Sequence, residues 1–290
     1  MGNGERRQFA IDPSMKIGYV SLNVSDLDRS LAFYKSILGF KEAGRFDGKA
    51  LLSVDGNPFH LVELSQATDN QQSKRAGLYH FAVLLPERKH LADALVHLGE
   101  NRGRVHFDGL ADHLVSESIY IRDPDFIGIE IYCDRPSSQW KWDGGSVQMA
   151  TERLDTQGLI KEATGGWKQM PPGTVIGHVH LHVRDLEGAR RFYSGALGLS
   201  LTAEMQGASF FAAGNYHHHV ATNTWLGTDI QPALQVGVGL NHFGIELPAG
   251  ALEDTIKQLA RQGMAVKESQ RSAFLHDSDG IAVQLYASPA

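Results

Sequence analysis

The chain has 290 residues, 42% hydrophobic and 21% charged, the balance of an ordinary globular protein of about two domains and not of a disordered or fibrous one. Its formal net charge of −6, with no basic cluster, argues against nucleic-acid binding. No apolar run approaches the ~18 residues of a membrane span, residues 1–15 lack the apolar stretch of a secretory signal, and Arg6 stands where a myristoylation signal needs Ser or Thr.

Cys133 is the sole cysteine, so no internal disulfide can form and a cytoplasmic setting is expected. Histidine is abundant: 14 in all, with seven between His178 and His242. It is the commonest metal ligand and the usual acid–base group.

In chain order, the first element is a strand in which Val20, Leu22 and Val24 face one way and Tyr19, Ser21 and Asn23 the other. Ser25 or Asp26 then caps a helix whose Leu27, Leu31, Tyr34 and Leu38 form an apolar stripe. Gly39 stands where a helix end favours a left-handed residue. Three short strands follow, to about residue 65. A second module has a strand at Leu78–Leu85, a helix at Glu87–Gly99 and strands through Cys133. Then the pattern starts again. IGYVSLNVSDLDRSLAFYKSILG at Ile17–Gly39 recurs as IGHVHLHVRDLEGARRFYSGALG at Ile176–Gly198. GLYHFAVLLP at Gly77–Pro86 recurs as GLNHFGIELP at Gly239–Pro248, and RDPDFIGIEIY at Arg122–Tyr132 as HDSDGIAVQLY at His276–Tyr286. The chain is thus four βαβββ modules, an α+β fold. Residues 1–138 hold modules 1 and 2, and 174–290 hold modules 3 and 4. Residues 139–173 are a linker with a short helix near Leu154–Ala163.

This fourfold βαβββ repeat resembles the vicinal oxygen chelate superfamily, which includes glyoxalase I, bleomycin-resistance proteins and type I extradiol dioxygenases. Its length is most similar to that of the two-domain catechol 2,3-dioxygenase type. The most specific pieces are Gly177-His178, GNYHHH at Gly214–His219 and SESIYIRDPDFIGIEIY at Ser116–Tyr132. The resemblance implies two open barrels, with a metal held on inner strand faces. It implies metal-dependent extradiol cleavage of a catechol- or hydroquinone-type ring, using Fe(2+) or else Mn(2+), a small aromatic diol and O2.

The four first-strand positions hold Tyr19, His80, His178 and His242, and the last-strand carboxylate positions hold Glu130 and Gln284. A non-haem iron site of the facial type needs two His and one carboxylate. Modules 2 and 3 together supply His80, His178 and Glu130, so they are expected to share the working barrel and modules 1 and 4 a silent one. In the usual family pairing of modules 3 and 4 the alternative set is His178, His242 and Gln284. By the same resemblance, Tyr120 hydrogen-bonds the substrate and one of His217-His218-His219 moves a proton. Neighbours on a strand alternate faces, and alignment with GNPFHL of module 1 sets His218 opposite His60. The family's His-His pair followed by an apolar residue fits His218 best, so the resemblance makes His218 the first choice and His219 the second. His113 is a further substrate-side candidate. His180 and His182 read as polar lining or surface.

The alternatives are a glyoxalase-like metal lyase or isomerase, which usually takes two carboxylates where only Glu130 is clear, and a metal-free resistance-type binding protein. A homo-oligomer is compatible with either. Gly237–Gly239 lacks P-loop spacing, so no nucleotide site is indicated.

Overall fold

A computed structural model describes residues 9–69, 74–269 and 271–289, so the expectation at Arg6 lies outside the described residues. Module 1 forms β1 (Lys16–Val24), α1 (Leu27–Ser36), β2 (Lys41–Phe46), β3 (Lys49–Ser53) and β4 (Val62–Gln66). Asp26 caps α1, its side chain accepting from the Arg29 N–H, and Gly39 takes φ +84° just beyond it. Module 2 follows with β5 (Gly77–Leu84), α2 (Arg88–Glu100), β6 (His106–Asp112), β7 (Ser116–Arg122) and β8 (Gly128–Asp134). The connecting segment carries the two-stranded β9 (Trp142–Asp143) and β10 (Ser146–Val147) and the short α3 (Thr156–Ile160), inside the stretch expected to be helical. Modules 3 and 4 supply β11 (Val175–His182), α4 (Leu186–Arg190), β12 (Ser200–Met205), β13 (Ala208–Ala212), β14 (Val220–Asn223), β15 (Gly239–Leu247), α5 (Ala249–Arg261), β16 (Lys267–Ser269), β17 (Ser272–His276) and β18 (Ala282–Ala287).

These strands make two open eight-stranded sheets. One runs β16-β17-β18-β15-β1-β4-β3-β2 and the other β12-β13-β14-β11-β5-β8-β7-β6. Each sheet therefore draws one module from each half of the chain: module 1 pairs with module 4, and module 2 with module 3. The sheets cut across the division at residues 139–173, so neither sequence half is a sheet by itself. The junctions are antiparallel, β1 on β15 and β5 on β11, and both carry register shifts. Such bulges increase local twist and curl a sheet.

Alternation sets what each face carries. On β8, Ile129 and Ile131 are fully buried in the apolar core, whereas Glu130 points to the other, concave face. Phe81 and Val83 pack into the same core from β5. Burial of each such side chain contributes roughly 1.5–3 kcal/mol. The concave face can then carry polar chemistry. Gly128 allows β8 to lie against β5 there, since a Cβ at this position would stand 2.1 Å from the Tyr79 carbonyl oxygen and 3.0 Å from the His80 Cβ.

Candidate metal centre and its pocket

Three strands of the second sheet converge on one carboxylate. His80 sits on β5, His178 on the neighbouring β11 and Glu130 on β8, which runs parallel to β5. The Nε2 atoms of His80 and His178 lie 2.9 and 3.0 Å from the same Oε2 of Glu130. Ser118, two residues before Tyr120 on β7, donates its hydroxyl to the other oxygen, Oε1, at 2.6 Å. Among the described residues this is the one group of three His, Cys, Asp or Glu side chains whose ligand atoms all lie within 4.8 Å of one another.

The donor set fits a divalent metal on two further counts. All three side chains are buried, yet the ion pairs Glu130 makes among the described residues are with the two imidazoles. A buried carboxylate without a permanent cation is costly. In addition, His80 Nε2 has no properly aligned hydrogen-bond partner despite its short distance to Glu130. Burial alone would raise the Glu130 carboxyl, but the adjoining His178 and His80 hold it well below the usual carboxylate range. Burial lowers His80 below the ordinary histidine value. Two neutral imidazoles and a carboxylate are the donors a facial metal site uses.

The surrounding cavity of about 370 Å³ is lined by Tyr79, Tyr120, Phe210, His218 and Trp225 among others. Tyr120 lies opposite Glu130 in the β7–β8 register and reaches His113, its hydroxyl 2.7 Å from Nε2. The Nδ1–H of His113 donates to the Ala150 carbonyl at 2.8 Å, so in the neutral ring Nε2 accepts from Tyr120. Burial, with Glu130 nearby, pushes the Tyr120 phenol well above its ordinary value, keeping it a neutral hydroxyl.

The three consecutive histidines do not alternate across a strand, because β14 begins only at Val220. In the turn before it they take three different directions. His217 Nε2 lies 2.9 Å from Asp134 Oδ1, and its Nδ1 lies 2.8 Å from His218 Nδ1. A carboxylate can only accept, so in the neutral ring His217 carries its proton on Nε2 and accepts at Nδ1. His218 must then carry its proton on Nδ1, leaving Nε2 with a free lone pair. Its ring centre stands 4.2 Å from that of His178, and burial, then His178 and His217, hold it well below its ordinary pKa. His219 instead accepts the Ala213 N–H at Nδ1, stacks on Tyr216 and is absent from the pocket lining. The second choice for acid–base work thus stands outside the lining that includes His218.

The structure thus gathers His80, His178, Glu130, Tyr120, His113 and His218 in one cavity. It places His242 and Gln284 in the other sheet, beside Tyr19.

Several groups in or behind the pocket lining carry no mark in the repeat. Asn223 accepts from the His182 Nδ1–H at 2.7 Å and donates to His180 Nε2 at 2.9 Å, fixing both rings. Met149 and Thr151 reach the cavity from the connecting segment. Ser118 was legible: strand alternation puts it on the face of Tyr120.

A model of the Glyoxalase/Bleomycin resistance protein/Dioxygenase superfamily matches residues 16–131 and 175–285. The chain is 38% identical over 275 residues to the catechol-2,3-dioxygenase of Bacillus subtilis strain 168, covering 92% of this chain and 95% of that one. Among solved structures, a putative dioxygenase from Bacillus subtilis superposes with a TM-score of 0.64 at 12% identity, covering 95% of this chain and 86% of that one. Glyoxalase I from Zea mays gives a TM-score of 0.54 at 16% identity, covering 94% and 92%. At these identities the two structures speak for the fold.

Proposed function

The chain belongs to the Glyoxalase/Bleomycin resistance protein/Dioxygenase superfamily, and we propose that it is an extradiol dioxygenase that opens the ring of a catechol-type diol with O2. The observation that carries the reading is the convergence of His80 Nε2 and His178 Nε2 on one oxygen of Glu130, on the floor of an aromatic-lined cavity. His80, His178 and Glu130 would hold the metal, Fe(2+) or else Mn(2+). Bound there, the ion would supply Lewis acidity that lowers the pKa of a phenol and the redox chemistry that O2 requires.

The protein's own groups account for the rest. His218, with its lone pair on Nε2, takes a proton from a substrate hydroxyl and later returns it. Tyr120, its ring 5.4 Å from that of His80, donates its hydroxyl to His113 and so accepts from a substrate hydroxyl. Tyr79, Phe210 and Trp225 offer apolar surface to the ring and exclude water. A single carboxylate in the donor set disfavours the glyoxalase-like alternative. No helix among the described residues is long and apolar enough to cross a membrane, and a chain with one cysteine suits a reducing cytoplasm.

The test is anaerobic reconstitution with Fe(2+), addition of catechol, and then admission of O2. One metal per chain, catechol-dependent O2 uptake and a ring-opened product carrying both oxygen atoms are expected. A metal-loaded protein that binds catechol but consumes no O2 would overturn the assignment.

A further inference from the structure

The first sheet has a concave face of its own, and that face is not a collapsed remnant. Its cavity is about 790 Å³, larger than the metal pocket and within the range of small-molecule sites. By the internal repeat, Tyr19 stands where His178 stands in the other sheet, His242 where His80 stands and Gln284 where Glu130 stands. The three replacements form a set of their own. The Tyr19 hydroxyl lies 2.8 Å from His242 Nε2 and donates to Gln284 Oε1. A phenol, an amide and one imidazole, already hydrogen-bonded to each other, make a poor divalent-metal site. They make a good uncharged polar cluster, with donors and acceptors side by side, and the neighbouring Glu63 carboxylate is taken up by Lys49 at 2.8 Å and His60 at 3.0 Å.

The chain also keeps the room open. Gly18 precedes Tyr19, and a Cβ there would stand 1.7 Å from the Tyr286 hydroxyl, so glycine lets both phenolic rings share the floor. The rings of His60 and Tyr286 stand 5.0 and 5.7 Å from Tyr19, and Phe274 stands 5.3 Å from His242. At the mouth, Phe46 and Phe59 are 73% and 67% exposed, the two most exposed large apolar side chains among the described residues. Exposed apolar surface at a cavity mouth marks a place where a ligand is covered.

Charge selects among aromatic ligands. The cations lining the cavity are already engaged: Lys49 with Glu63 at 2.8 Å, Lys16 with Glu246 at 3.2 Å, and Arg271 with the Ser288 carbonyl at 2.9 Å. Arg271 keeps its charge, but with Asp47 beside Glu63 and Glu246 the lining holds three carboxylates against three cations, so it offers no net positive charge to an anionic ligand. We propose that this face is a metal-free binding site for an uncharged, hydroxylated aromatic of one or two rings. The ligand's hydroxyl would join the Tyr19–His242–Gln284 set and its ring would sit between Phe274 and the mouth phenylalanines. The site is independent of the reaction at the other sheet.

The probe is 2-naphthol, titrated into the 15N-labelled full chain, with amide shifts followed residue by residue. Saturable shifts are expected on β1, β15 and β18. Leu51 lines this cavity from β3, opposite its core-facing neighbours Ala50 and Leu52. Leu51→Trp should fill the cavity and abolish those shifts while catechol-dependent O2 uptake is unchanged. Tyr19→Phe should weaken binding about tenfold, the worth of one hydrogen bond to a polar floor. If Leu51→Trp loses its dispersed spectrum, Tyr19→Phe decides alone. The carboxylate analogue 2-naphthoate should bind at least about tenfold more weakly. Shifts confined to the metal pocket, naphthol affinity unchanged in Tyr19→Phe, or equal affinity for naphthoate would each overturn the proposal.

Discussion

His217 Nε2 lies 2.9 Å from Asp134 Oδ1, and this pair decides which nitrogen of His218 carries a proton. Asp134→Asn replaces an acceptor by a group that can turn its amide donor toward His217. The His217 proton would then move to Nδ1, and His218 would be forced to carry its own on Nε2, the nitrogen needed as a base. Turnover should fall by roughly 10²–10⁴, the usual worth of a positioned acid–base group, with metal content unchanged. Metal analysis and O2 uptake on one preparation read both. Full activity in this variant would mean that the tautomer chain is irrelevant.

His218 itself should be separable from the metal. The set His80, His178 and Glu130 is complete without it. His218→Ala should therefore keep metal and bind catechol, with turnover lowered by roughly 10²–10⁴. His178→Ala should lose the metal and all that depends on it. Loss of metal in His218→Ala would place that ring among the ligands.

The two last-strand positions should respond in opposite ways. Glu130→Gln removes the one negative charge on which both imidazoles converge, so metal and activity should both vanish. Gln284→Ala, in the other sheet, should leave both intact. Equal metal content in wild type and Glu130→Gln would exclude the proposed centre.

The repeat made most of this legible, because the modules differ just where chemistry differs. With His at only three first-strand positions and, of the two last-strand positions compared, a carboxylate only at Glu130, modules 2 and 3 are the pair that completes a metal site, and the sheets pair in that way. The register also sets Glu63 of β4 at such a position in the other sheet, where Lys49 and His60 engage it. Even the turn was readable: Phe126 occupies the position of Gly280, and the two share a left-handed backbone, φ +63° and +82°. The side of the chain to which each residue of the triple His turns was not readable. Alternation holds only within a strand, and those residues precede one. Met149 and Thr151 were hidden for another reason. Their segment lies outside the repeat, so no second copy reports its role.

Two buried clasps hold the sheets together, each spanning one sequence half. The Tyr193 hydroxyl donates to Asp277 at 3.0 Å and that of Tyr34 to Asp123 at 3.3 Å, while Asp279 and Asp125 receive Arg184 and Arg29. Burial raises Asp277 and Asp123 to about 6. Tyr193→Phe leaves a buried carboxyl short of a donor and should cost about 1–3 kcal/mol of stability while the metal centre still loads. Denaturant titration of both proteins gives the difference. A cost near zero would show that water replaces the hydroxyl and that the clasp does not hold the sheets.

Acid should weaken the fold in part through His242. Burial lowers this imidazole to about 4, against an ordinary value of 6.5. The unfolded chain therefore binds a proton between these two pH values where the folded chain does not. Stability rises with pH wherever the unfolded state holds more protons. The contribution is complete above about pH 6.5 and is lost as the pH falls towards 4, and a displacement of this size corresponds to about 3 kcal/mol. The raised Asp277 and Asp123 act in the opposite sense between about pH 4 and 6, favouring the folded state as they take up protons, so wild-type stability alone does not isolate the histidine. His242→Gln does, because glutamine cannot titrate and leaves both aspartates in place. Its stability should fall less than that of wild type between pH 7 and pH 4.5, whatever its absolute stability at pH 7. Parallel curves for the two proteins across that range would show that His242 is charged in the fold, contrary to its burial beside Tyr19.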